Sequence, residues 1–154
     1  METAEHAPVF EHSPDRPVPA DVTRGANWFF WLAIMSALGS VVTYFGNNYL
    51  FFMTLSASQL VNGTPMGWVN VDTVPFSPMT ALIINLAFAA IFAAFGYFAR
   101  MRSSWAFLVG FFLYVFDAIL CIGFKDLYSF AFHLLVIFFI FKGLVATRRL
   151  YQGY

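Results

Sequence analysis

The chain has 154 residues, of which 60% are hydrophobic, 21% aromatic and 10% charged, and its net charge is zero. Soluble domains run at roughly 45–50% apolar and about 25% charged, so most of this chain has lipid as its solvent. The zero balance and the scatter of the basic residues exclude a nucleic-acid footprint, and the single cysteine, Cys121, excludes an intrachain disulfide.

Residues 1–25 differ in kind from the rest. They hold four prolines, five acids and two arginines. Such a composition cannot bury enough apolar surface to fold, and it reads as a disordered tail. His6 and His12 lie in this tail and read as solvated rather than metal-bound. The tail is too acidic for a signal-peptide n-region, so the apolar run that follows is expected to stay as a helix.

A spanning helix needs about 20 mostly apolar residues. Four runs qualify, at about 27–46, 79–99, 105–124 and 127–147. In lipid each must satisfy its own backbone, which makes them helices. No alternating period supports a barrel. The fold class expected is an all-α membrane protein, an antiparallel bundle of four transmembrane helices. Small residues spaced four apart mark its packing faces: Ala33 with Ala37, Ser36 with Ser40, Ala89 with Ala93, and Ala90 with Ala94. The bulky phenylalanines are then expected to face lipid or a partner.

Orientation follows from Lys and Arg. Arg16 and Arg24 precede the first span, Arg100 and Arg102 separate the second from the third, and Arg148 and Arg149 follow the fourth. The segment 47–78 carries none, and the turn between the third and fourth spans carries only Lys125. By the positive-inside rule both termini, including residues 150–154, are cytoplasmic. Lys142 lies near that side, where its long stem can reach the headgroups.

The outer segment 47–78 opens on Asn47 and Asn48, which are helix-capping types, and continues through an apolar stretch to Ser56, Ser58 and Gln59. It is too short to span again and reads as a short helix in the outer interface or dipping into it. Asn62-Gly63-Thr64 matches a glycosylation acceptor, but it reads more simply as a turn.

The third and fourth spans each hold one ionisable residue, Asp117 and His133. Each lies about eight residues from the Lys125-Asp126 turn, hence about 12 Å below it at 1.5 Å per residue. Asn85 and Ser40 lie at about six residues from the outer ends of their own spans, so one polar residue per helix reaches a common layer. A charge at mid-membrane costs about 2.5–3.5 kcal/mol on insertion scales and must face the bundle interior. Tyr114 and Cys121 share the face of Asp117, and Ser129 that of His133. Two readings stand: a polar clasp that locks the helices by hydrogen bonds, or a functional site that relays protons or holds a small substrate or ion. No serine is placed as a nucleophile, no third strong metal ligand is at hand and no cofactor motif occurs, so no catalytic, cofactor or metal residue is assigned.

The stretches LYVFDAILCIGFKDLYSFAFHLLVIFFIFKGL (113–144) and GYFARMRSSWAFLVG (96–110) resemble small uncharacterised four-helix membrane proteins of bacteria. That resemblance implies an Asp and a His flanking a short polar turn, and a bacterial inner membrane; no activity attaches to the group. The function expected is a non-enzymatic accessory or assembly subunit of a membrane complex. Its partners would be the lipid bilayer and other membrane subunits or further copies of the chain, with no nucleic acid. The alternative is a small transporter or proton-coupled channel built on the Asp117–His133 layer.

Overall fold

The structure is a computed structural model that describes residues 18–46, 55–62 and 76–152. These residues form five helices: α1 (Ala20–Tyr44), α2 (Ser56–Val61), α3 (Pro78–Arg100), α4 (Ser104–Phe124) and α5 (Leu127–Tyr151). Among the described residues there is no strand. The four long helices are each long and apolar enough to cross a membrane. The chain is a multi-pass membrane protein built as an all-α bundle, with a short helix between its first two spans. His6, His12, Asn47 and Asn48 lie outside the described residues.

Local chemistry accounts for the helix ends. The Ser77 hydroxyl accepts the Thr80 amide at 3.2 Å and Pro78 follows at the first helical position, where its missing N–H and fixed φ are an advantage. Asp126 caps α5 in the same way, accepting from the Ser129 amide at 3.0 Å and from the Ser129 hydroxyl at 2.5 Å. The two tight connections both close through a left-handed residue, Arg102 (φ 63°) and Lys125 (φ 58°). In each, the following amide returns to the last turn of the helix, Ser103 to the Phe98 carbonyl at 3.1 Å and Asp126 to the Cys121 carbonyl at 3.2 Å. This is the Schellman closure, which usually employs glycine because a Cβ there costs about 1–2 kcal/mol. Lys125→Gly therefore raises stability by roughly 0.5–1 kcal/mol, after the extra freedom of glycine in the unfolded chain is subtracted. A detergent melting curve that drops instead would show that the lysine side chain outweighs its backbone strain.

The span ends on the α2 side lie near where the apolar runs end, but α1 begins earlier than its apolar run. It starts at Ala20, inside the stretch whose composition reads as tail. Tertiary contact explains the extension. Val22 and Ala26 are fully buried, and Gly25 meets α5 so closely that a Cβ on it would lie 2.9 Å from the Gly143 Cα. At the other end of the chain, α5 continues past residue 147, and the Tyr151 hydroxyl donates to the Arg102 carbonyl at 2.9 Å.

Around the bundle, α1 packs on α3 and α5, and α4 closes the ring against α5 and α3. The closest pairing is α1 with α3, which are distant in sequence, rather than α3 with α4, which a short turn joins. Small side chains permit it: Ala33 on α1 and Ala81, Ala89 and Ala99 on α3 are all buried. The core departs from the expectation that phenylalanine faces outward. Phe29, Phe92, Phe95 and Phe107 are buried, with Phe29 centred 6.4, 6.1 and 5.9 Å from Phe92, Phe95 and Phe107. Glycine makes the room, since a Cβ on Gly110 would come within 2.6 Å of the Phe29 ring. Other aromatic residues, such as Phe112, Phe116 and Phe138, do lie on the outside.

Candidate functional site

Asp117 on α4 and His133 on α5 meet in the interior. The helical hairpin, turning at Lys125-Asp126, carries them to one depth. His133 Nε2 lies 2.9 Å from Asp117 Oδ2, and the two residues are 1% and 4% exposed, so water does not screen them. The other imidazole nitrogen, Nδ1, sits 2.7 Å from the Ser129 carbonyl one turn earlier on α5. A carbonyl can only accept, so Nδ1 carries hydrogen. One further proton then lies on the Nε2–Oδ2 line. The pair is either imidazolium with carboxylate or imidazole with carboxylic acid, and it is neutral in sum both ways. Neutrality is what a hydrocarbon layer demands of a buried pair.

The remaining capacity of Asp117 is filled by α2. The Ser56 amide donates to Oδ2 at 2.9 Å and the Ala57 amide to Oδ1 at 2.8 Å. These are first-turn amides, which a helix leaves without internal partners. Leu55 holds the N-cap position and has no side-chain acceptor to offer. Asp117 thus caps a helix some 60 residues earlier in the chain. The short helix between the first two spans exists as expected, yet its polar residues point inward: Ser56, Ser58 and Gln59 are buried against the bundle. Cys121, one turn beyond Asp117, completes the cluster, with its Sγ 2.8 Å from Ser56 Oγ and 3.5 Å from His133 Nδ1. Tyr114, one turn before Asp117, stacks on the imidazole at 4.8 Å between centroids and 10° between planes.

The other two polar residues of the expected layer bond elsewhere. The Asn85 amide donates to Asn62 Oδ1 at 3.0 Å, tying α3 to the end of α2. The Ser40 hydroxyl donates to the Ser36 carbonyl at 2.7 Å within its own helix. Both side chains are buried. The expected layer therefore resolves into a pair, Asp117 with His133, and two separate local attachments. Sequence reasoning missed the Ser56 and Ala57 amides, since backbone donors carry no side-chain signature. The only hint was a serine-rich patch in an otherwise apolar outer segment.

Among the described residues five buried side-chain atoms lack hydrogen-bond partners: Ser36 Oγ, Ser58 Oγ, Asn85 Oδ1, Ser104 Oγ and the Tyr114 hydroxyl. Among the described residues no three His, Cys, Asp or Glu side chains are arranged to hold a metal ion. The site joins three helices through one ionisable pair, and it defines a polytopic bundle with a clasped polar interior. Comparison with family models, curated proteins and solved structures finds no match.

Proposed function

We propose that this chain is a non-enzymatic accessory or assembly subunit of a membrane complex, in which Asp117, His133 and α2 form a structural clasp. The observation that carries the reading is the closed set of bonds around the pair. Both carboxylate oxygens and both imidazole nitrogens have partners inside the chain, which leaves little capacity for a passing substrate. The outside of α4 supports it as well. Trp105, Val109, Phe112, Phe116 and Ile119 are all exposed, and their three- and four-residue spacing makes a single stripe that a neighbouring helix can pack against. The bilayer in question is a bacterial inner membrane with both termini cytoplasmic, as the basic residues and the resemblance suggest.

Native mass spectrometry of the protein, extracted gently from its own membrane, tests this. A defined set of other subunits is the expected result, and release as a lone chain from every mild detergent overturns it. A second reading, a small proton-coupled transporter, is favoured by the unpartnered Tyr114 hydroxyl, whose ring lies against His133. Asp117→Asn separates the two. A transporter loses flux in vesicles while its melting curve holds, whereas a clasp loses stability first.

A further inference from the structure

A groove runs between α1 and α5, away from the Asp117–His133 pair. It has room of about 560 Å³, within the range of small-molecule sites. Its walls are apolar and aromatic for most of their length. Trp28 stacks on Phe139 at 5.3 Å and meets Phe132 edge-on at 6.3 Å, while Leu32 and Met35 line the far end. Polarity is confined to the end nearest the start of α1, where Arg24 and Asn27 form the rim. Arg100 adds a second guanidinium there, donating to Asn27 Oδ1 at 2.6 Å. The acid at this rim, Asp21, lies 3.6 Å from Arg24 in an exposed pair, a geometry worth little in water. Among the described residues, two guanidinium groups stand against one carboxylate, which leaves this rim positive.

The proportions match one leaflet. Arg24 to Met35 is eleven residues of helix, or about 16 Å at 1.5 Å per residue, close to half of a hydrocarbon core about 30 Å thick. A charged mouth at headgroup level, followed by an apolar trough of one leaflet's depth, has the layout of a phospholipid. We infer that the α1–α5 groove holds one anionic phospholipid, its phosphate at Arg24 and Arg100 and an acyl chain along Trp28, Leu32 and Met35. This holds whether or not the chain is an accessory subunit.

The test is native mass spectrometry of the full chain in non-ionic detergent, with phosphatidylglycerol or phosphatidylcholine of identical acyl chains added. One phosphatidylglycerol per chain is expected, retained about fivefold over phosphatidylcholine, on the order of what one basic residue contributes at an anionic surface. Arg24→Gln, at an exposed position, removes that preference while the melting curve stays in place. Met35→Trp fills the trough and displaces both lipids. Equal retention of the two lipids, or an unchanged preference in Arg24→Gln, overturns the inference. So does a dimer that forms without lipid and is broken by Met35→Trp, because the groove would then seat a second copy. If Met35→Trp fails to fold, Arg24→Gln alone decides.

Discussion

Asp117→Ala lowers the free energy of unfolding in mixed micelles by about 3–5 kcal/mol, the loss seen when one member of a buried pair is removed. The size follows from what the carboxylate holds. Without it the Ser56 and Ala57 amides and His133 Nε2 lose their partner at once, and each buried group left unpaired costs about 1–3 kcal/mol. Some of that loss is recovered when α2 lifts away and its amides find water, so the three terms do not add. That release is the specific signature. Hydrogen exchange at Ser56 and Ala57 becomes fast in the variant, while amides in the middle of α4 and α5 stay protected. Asp117→Asn keeps one acceptor but presents an NH₂ where a second is needed, so its loss is smaller, roughly 1–3 kcal/mol. An Asp117→Ala protein as stable as the parent, with α2 still protected, would rule out the clasp.

Gly143→Val costs roughly 3 kcal/mol, at the upper end of what overpacking a core produces. A Cβ at this position meets Phe107 Cε1 at 2.6 Å and the Gly25 Cα at 3.1 Å. The phenyl ring cannot swing aside, because Phe107 is itself fully buried. The α1 backbone stands behind the second contact, so relief requires α1 and α5 to part. Helix propensity works the other way, since glycine in a helix is about 1 kcal/mol worse than alanine. Gly143→Ala thus shows a smaller net loss than valine, which adds further bulk at the same crossing. The same unfolding measurement checks both, with the exposed Phe116→Leu as the comparison. A valine variant that unfolds with the parent would mean that the α1–α5 crossing is looser than its geometry.

The two positions differ in how legible they were. The depth match of Asp117 and His133 is written in the chain, because a hairpin with a two-residue turn places residues equally distant from the turn side by side. The Gly25–Gly143 crossing is not. The residues are far apart, and a glycine in a transmembrane run is compatible with any face. Asn85 and Ser40 show the limit of depth as a guide. Both are buried, yet Asn85 turns to Asn62 and Ser40 to its own helix, because depth fixes height along the bundle and says nothing of rotation about each helix.

By itself, the sequence determined the membrane class, the number of spans and the common depth of Asp117 and His133. Hydrocarbon offers no hydrogen bonds, so a run of about 20 apolar residues has no alternative to a helix, and two ionisable groups at one depth have every reason to meet. Tertiary structure alone decided which phenylalanines are core, how far α1 extends toward its N-terminus, and that the six-residue α2 docks its amides on Asp117. Lipid and protein interior are equally apolar, so hydrophobicity cannot tell a buried Phe29 from an exposed Phe116. Backbone donors are identical in every sequence, so only the folded chain reveals which of them a buried carboxylate will find.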